Sequence, residues 1–129
     1  MSYYMSTIVP KSFDETIDAV QAELAKEGFG VLTEIDVAAT MKKKLDINYL
    51  RYRILGACNP PFAHKALSIE NRIGTMLPCN VIVREQEDGT IEVAAVDPAA
   101  SMQAIENKEL ESVAGEVRAK LQRVISALS

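Results

Sequence analysis

The spacing of apolar residues in the first third of the chain predicts a strand and then a helix. Tyr3 to Val9 is rich in aromatic and β-branched residues and ends at Pro10, as an opening strand does. Ser12 lies three residues before Glu15, the spacing of a capping box, and apolar residues follow at intervals of three and four. We expect this helix to end at Gly28, because glycine adopts the left-handed conformation of a helix C-cap.

The next three segments predict a strand, a short helix and another strand. Apolar and polar residues alternate from Val31 to Val37, and apolar residues then fall four apart as far as Leu45. The lysines Lys42 to Lys44 lie within that helix, where a short basic run is typical of a solvated face. Alternation returns from Tyr49 to Ala57. If the phase that places Tyr52 on the apolar side continues, Cys58 also faces the core.

The remaining patterns complete an alternation of strands and helices. They predict a helix from Asn59 to Gly74, a β-hairpin with strands around 79–84 and 91–96, a short helix from Asp97 to Met102, and a long helix from Asn107 to Leu128. The order is β-α-β-α-β-α-β-β-α-α. We therefore expect an α+β fold in a single domain spanning residues 1–129, with two layers: a mixed or mostly antiparallel sheet packed on helices.

The amino-acid composition indicates which class of protein this is and which partners it argues against. The 129 residues are 48% hydrophobic and 25% charged, which is typical of a globular domain with its own core. A net charge of −4 argues against a nucleic-acid partner, since binding to phosphates needs clustered basic residues. The first ten residues lack a basic region followed by an apolar run, and no apolar stretch approaches the ~20 residues that span a bilayer. We expect no membrane partner and a cytoplasmic location, where cysteines stay reduced.

The two cysteines of the chain have similar surroundings. One occurs in the stretch Gly56-Ala57-Cys58-Asn59-Pro60 and the other in Leu77-Pro78-Cys79-Asn80, so an asparagine follows each cysteine and a proline lies within two residues. Cys58 is predicted at a strand-to-helix junction, where unpaired backbone N–H groups and the helix dipole favour a thiolate. We expect a ligand-binding pocket in which thiols make direct contacts, asparagines hydrogen-bond and prolines provide a rigid frame. Its predicted lining residues are Cys58, Asn59, Pro60, Cys79 and Asn80.

Three roles for the cysteine pair remain open from the sequence. Cys58 and Cys79 could bind a soft metal ion, close a reversible disulfide, or fill core space. The Cys-x-x-Cys spacing of redox and zinc sites is absent. His64, the only histidine, falls outside the apolar stripe of its helix and is expected on the surface. A zinc site made of Cys58, His64 and Cys79 would lack a fourth protein ligand, so no cofactor is identified.

The two cysteine motifs, together with the valine-rich strand and the Asp97-Pro98 turn that follow them, resemble the family called domain of unknown function 302. The resemblance covers nearly the whole chain. It implies a compact α+β domain of bacteria and archaea, grouped by some classifications with TATA-binding-protein-like folds, and it implies no established activity. His64 is not part of the motif. The positions that the resemblance carries over are Gly56, Cys58, Asn59, Pro60, Pro78 and Cys79.

Three hypotheses about function follow from the sequence. The first is a small cytoplasmic binding domain whose cysteine- and asparagine-lined pocket accepts a small ligand or a soft metal ion. The second is a thiol-dependent redox or transfer enzyme with Cys58 as nucleophile and Cys79 as resolving thiol. The third is a structural homodimer subunit without a ligand. The sequence leaves open whether the protein is an enzyme and what its ligand is.

Overall fold

The computed structural model describes residues 2–129 of the chain. Its elements follow the predicted order, with one 3-10 helix added before the fourth strand. The strands are β1 (Tyr4–Val9), β2 (Gly30–Asp36), β3 (Tyr52–Cys58), β4 (Cys79–Glu85) and β5 (Ile91–Val96). The helices are α1 (Phe13–Lys26), α2 (Val37–Leu45), α3 (Pro60–Ile69), the 3-10 helix (Asn71–Met76), α4 (Pro98–Ser101) and α5 (Lys108–Leu128).

The strands form one five-stranded sheet in the order β1-β5-β4-β3-β2. Every pair of neighbouring strands in residues 2–129 is antiparallel. The predicted hairpin joins β4 to β5, and its turn is closed where Gln86 N donates to Thr90 O at 2.9 Å. Gly89 has a φ of 85° in this turn, a conformation that favours glycine. The predicted α+β fold is confirmed.

One face of the sheet, the inner face, carries the core. Cross-strand register places Val81 and Val83 of β4 beside Ala95 and Val93 of β5, and all four side chains are buried. Helices α1 and α5 pack on this face and on each other. Each fully buried valine or leucine contributes roughly 1.5–3 kcal/mol of transfer free energy, so this face supplies much of the stability of the fold. The buried side chains from the two helices include Val20, Leu24, Leu110, Leu121 and Val124.

Short polar motifs mark the helix starts as expected. Ser12 Oγ accepts from Glu15 N, and the Glu15 carboxylate accepts from Ser12 N, which completes the capping box of α1. Asp97 accepts from Ala99 N and Ala100 N at the start of α4, and Asn107 caps α5. Among the helices of residues 2–129, none is long and apolar enough to cross a membrane.

The third helix ends earlier than the sequence predicts. Helix α3 stops at Ile69, because Glu70 adopts an extended conformation with φ −139° and ψ 107°. The carboxylate of Glu70 accepts from Arg72 N at 3.0 Å and so begins the separate 3-10 helix that contains Gly74. The prediction of one continuous helix to Gly74 is therefore wrong.

The predicted phase of β3 is also wrong. Leu55 and Ala57 lie on the inner face and are buried, whereas Tyr52 and Ile54 lie on the opposite, outer face. Arg51 lies on the inner side, just before β3. Its guanidinium is 4.1 Å from the centre of the Phe13 ring on α1, and this cation–π contact accommodates the charge there. The two phases look alike in the sequence because both faces of this strand carry apolar residues.

Candidate functional site

A cavity of about 330 Å³ lies at the end of the sheet where β3 ends and β4 begins. Ala57, Cys58 and Cys79 line it from these strand ends, and Leu77 and Pro78 line it from the segment just before β4. Helix α3, the 3-10 helix, α4 and α5 supply the other walls. We call this space the thiol cavity, because both cysteines of the chain border it.

Small side chains on the facing helices create the space. Ala63 and Ala66 of α3 and Ala114 of α5 border the thiol cavity, and α3 packs on α5. An alanine leaves a gap wherever the opposite surface cannot move closer, because packed helices are held apart by their larger side chains. Phe62 and Val117 form part of the surrounding apolar wall.

The two cysteines enter the cavity differently. Cys79 pairs with Ala57 across β3 and β4 and is buried on the inner face. Cys58 is half-buried and pairs with Gly30 of β2, so the register places it on the opposite side of its strand from Ala57. Burial, and to a lesser extent the charge of neighbouring Cys58, raises the pKa of the Cys79 thiol to about 11. At neutral pH Cys79 is therefore a protonated, apolar wall group rather than a thiolate.

Asn59 anchors one wall of the cavity. It occupies the N-cap of α3 and is only 7% exposed, but its side chain makes no capping hydrogen bond. Instead, Asn59 Nδ2 donates to the backbone oxygen of Glu27 at 3.0 Å and so ties the start of α3 to the end of α1. The carboxylate of Glu27 is in turn held by Arg123 of α5 at 2.9 Å. This chain of contacts fixes three helices relative to one another at the edge of the cavity.

The other residues predicted for the pocket lie elsewhere. Asn80 is exposed on the outer face, where it pairs with Gly56 and borders a separate shallow concavity. Pro60 is exposed at the first position of α3 and does not line the thiol cavity. His64 is exposed on α3, and it too lies outside the lining. The structure thus brings Cys58, Asn59 and Cys79 together at the cavity. Pro60, although it directly follows Asn59, stays outside the lining, and Asn80 lies on the outer face of the sheet.

Gly56 has a packing role behind the cavity. A Cβ atom at this position would overlap Thr33 Oγ1 of β2 and would lie 2.7 Å from Pro78 Cγ. Thr33 of β2 and Pro78, which immediately precedes β4, therefore close over Gly56 from its two sides. The Leu77–Pro78 peptide bond is cis. Glycine at position 56 is needed because its neighbours occupy the space of a side chain.

Metal-binding side chains do not cluster in this region. Across residues 2–129, no three side chains of histidine, cysteine, aspartate or glutamate come together as a metal site would require. Cys58 and Cys79 supply the two metal-binding side chains at the thiol cavity, whereas structural zinc takes four protein ligands.

The sequence indicates the strand-end residues of the cavity but not its helical walls. Phe62 and Met102 and the α5 residues Val113, Ala114 and Val117 all border the cavity. On an amphipathic helix such residues indicate a core face, and that is where most of them lie. What distinguishes a cavity wall is alanine on both of two helix faces that pack against each other. The alanines can be recognised as a cavity wall only when it is known which two helices pack together.

Comparisons with known proteins agree with this architecture. The sequence profile of the family described as domain of unknown function DUF302 matches residues 5–128. The crystal structure of an uncharacterized conserved DUF302 protein from Bacillus stearothermophilus is similar, with a TM-score of 0.94 and 24% sequence identity over 100% of both chains. No protein with a curated description matches the chain. Because the family profile covers almost the whole sequence, the chain belongs to the family of domain of unknown function DUF302.

Proposed function

We propose that this protein binds a small, neutral, largely apolar molecule in the thiol cavity. The observation that carries the proposal is the lining of that cavity: of its side chains in residues 2–129, none is charged, and only Cys58, Asn59 and Cys79 have polar atoms. A volume of about 330 Å³ lies at the lower end of the range for small-molecule pockets. A charged ligand would lose its hydration there without gaining an opposite charge.

The driving force for such binding is the removal of apolar surface from water. Phe62, Leu67 and Val117 would cover an apolar ligand, and each Å² of apolar surface buried contributes about 25 cal/mol. The Asn59 amide nitrogen is already bound to Glu27 O. Its carbonyl oxygen can still accept a hydrogen bond from one polar group of the ligand, which would set the ligand's orientation.

The same observations make a redox or transfer enzyme a weaker candidate. A resolving thiol attacks as a thiolate, and at pH 7 a pKa of about 11 leaves Cys79 almost entirely protonated. A structural zinc site is weaker as well, because the two thiols at the cavity are accompanied by no third metal-binding side chain within residues 2–129. Cys79 serves better as an apolar wall for the ligand.

Filling the cavity tests the proposal. Naphthalene, indole and 1-octanol would be titrated into the ¹⁵N-labelled protein, and binding followed by amide chemical shifts. We expect shifts to concentrate on α3, α5 and the β3–β4 ends, and we expect Ala63→Leu to weaken binding at least about tenfold because the added side chain occupies the cavity. The matched control is Ala119→Leu, which adds the same atoms to an exposed site on α5.

Two results would contradict the proposal. One is the absence of saturable binding of all three probes to the wild-type protein. The other is equal affinity of the Ala63→Leu and Ala119→Leu variants, because that result would place the bound probe outside the thiol cavity.

A further inference from the structure

The outer face of the sheet exposes apolar side chains that a monomer leaves in water. Along antiparallel strands an outward face is usually polar, yet Tyr4 (43% exposed), Ile8 (46%) and Ile35 (50%) lie there. Ile54 and Ile82 pair with each other across β3 and β4 on the same face. Exposed apolar side chains gathered on one face of a sheet mark a candidate interaction surface.

A neighbouring segment is exposed in the same way. We call residues 37–51 the arm: it comprises α2 and the stretch that leads into β3. Within the arm, α2 buries none of its side chains, and Leu45 is 63% exposed. Ile47, Tyr49 and Leu50 follow it, each more than two-fifths exposed. A helix gains most of its stability by packing an apolar face. The exposed apolar side chains of the arm therefore indicate that it packs against a partner.

Charge on the arm identifies the kind of partner. Lys42 pairs with Asp46 at 2.8 Å, whereas Lys43 and Lys44 make no ion pair with any described residue. The acidic turn, which we define as residues 85–90 and which includes the last residue of β4, carries Glu85 and Glu87, and these carboxylates also lack an ion-pair partner in residues 2–129. One chain thus presents a basic group and an acidic group that are each uncompensated.

Both groups lie at the same end of the sheet. Glu85 N donates to Arg51 O at 2.8 Å, which places the last residue of the arm beside the acidic turn. Ile8 pairs with Glu92, near the start of β5 and therefore near the acidic turn. An exposed apolar side chain of the outer face thus lies at the same end of the sheet as the arm. A two-fold axis parallel to the strands would keep this end of one copy over the same end of the other. It would set the basic arm of one copy against the acidic turn of the other, twice in each pair.

We infer that the outer face and the arm form a homodimer interface, and that the occupant of this surface is a second copy of the chain. The face is about 24 Å across five strands and about 20 Å along them, a flat area of about 480 Å². Stable interfaces bury ~800 Å² per partner, so side-chain relief and the arm would supply the remainder. The charges within the face are matched, since Arg84 Nε lies 2.6 Å from Glu92 Oε1.

Exchanging the charges tests the inference on the full chain by sedimentation velocity from 1 to 100 μM. We expect the wild-type protein to dimerise. Lys43→Glu/Lys44→Glu and, separately, Glu85→Lys/Glu87→Lys should each raise the dimer dissociation constant at least about 100-fold, because like charges then meet at both contacts. An equimolar mixture of the two variants should recover wild-type affinity, and this recovery would also show that both variants are folded.

Matched variants distinguish the loss of this interface from a general effect of net charge. Lys65→Glu/Lys108→Glu makes the same change in net charge at two exposed sites on other helices and should leave the dimer intact. Ile8→Glu places a charge on the outer face and should weaken the dimer about as much as the reversals do. A wild-type monomer at 100 μM, a dimer insensitive to any of these interface substitutions, or a mixture that stays monomeric would overturn the inference.

Discussion

Gly56 is the glycine at which an added methyl group would overlap its neighbours most closely. Side-chain atoms of Thr33 and Pro78 already occupy the volume of a Cβ atom at this position, so Gly56→Ala forces both residues to shift. We expect a loss of about 1–3 kcal/mol in the free energy of unfolding, measured by denaturation in urea.

The control for this prediction is a second glycine in the same sheet. Gly30 lies in β2, and a Cβ atom there would meet no heavy atom within 4 Å. Gly30→Ala should therefore change stability by about 0.5 kcal/mol or less. Thr33→Ala combined with Gly56→Ala should recover part of the loss. Equal effects of the two glycine substitutions would show that overlap is not the reason for Gly56.

Cys79 should make the stability of the protein fall in alkaline solution. Its pKa is raised to about 11 in the folded state from an ordinary value of 9.0, so the unfolded chain loses this proton first as the pH rises. The stabilisation is complete below pH 9 and is lost as the pH approaches and passes 11. We expect the difference in unfolding free energy between wild type and Cys79→Ala to shrink by about 2 kcal/mol from pH 8 to pH 10.5.

Comparison with a variant removes the contribution of lysines and tyrosines, which titrate over the same range in both proteins. A difference that stays constant with pH would mean that the Cys79 thiol is not desolvated in the folded protein. Cys58→Ala provides a further control, since Cys58 is less buried and should leave most of the alkaline loss in place.

The asparagines that follow the two cysteines show how far a local motif can predict a site. Asn59 comes at the end of a strand and turns inward at the N-cap of α3, whereas Asn80 is the second residue of a strand. Since side chains alternate across a strand, Asn80 falls on the face opposite Cys79. Both placements depend on strand boundaries, and sequence patterns locate these less well than the strands themselves.

At the scale of elements, α3 and the 3-10 helix should form the least stable part of the cavity wall. Helix α3 buries only Ala66 and the 3-10 helix only Ile73, whereas α5 buries eight side chains. Few buried contacts imply a low free energy of local opening. We expect amides in residues 60–76 to exchange hydrogen faster than those of β4 and α5, as measured by mass spectrometry.

A ligand in the thiol cavity should slow this exchange. At a concentration of 100 times its dissociation constant, a ligand that binds only the closed form stabilises that form by about 2.7 kcal/mol, which corresponds to about 100-fold slower exchange. The effect should be confined to the cavity walls and should be lost in Ala63→Leu. Protection in residues 60–76 equal to that of α5 before any ligand is added would contradict the low stability expected of this wall.

The elements themselves were predictable where local chemistry determines them. The capping residues Ser12, Asp97 and Asn107 mark helix starts that hydrogen bonds confirm. The phase of β3 was not predictable, because which of two apolar faces the helices cover depends on packing between distant parts of the chain. The same holds for the cavity, whose space depends on Ala66 and Ala114 facing each other across two helices that are far apart in the sequence.

At the scale of the whole molecule, the thiol cavity and the charged contacts proposed for the dimer lie at opposite ends of the same strands. The thiol cavity borders the last residue of β3 and the first of β4, whereas the acidic turn and the arm adjoin Tyr52 and Glu85 at the other ends. A seven-residue strand spans about 20 Å, beyond the distance at which substitutions usually couple. We therefore expect charge reversals at these contacts to leave ligand binding in the cavity unchanged.

A thermodynamic cycle measures this independence. The dissociation constant for 1-octanol should change less than about twofold between the wild-type dimer and the Lys43→Glu/Lys44→Glu variant, and the dimer dissociation constant should be equally insensitive to Ala63→Leu. Because linkage is reciprocal, the two halves of the cycle must agree. A tenfold change in either would correspond to about 1.4 kcal/mol of coupling carried along β3 and β4, and it would make the outer face a regulator of the cavity rather than a separate surface.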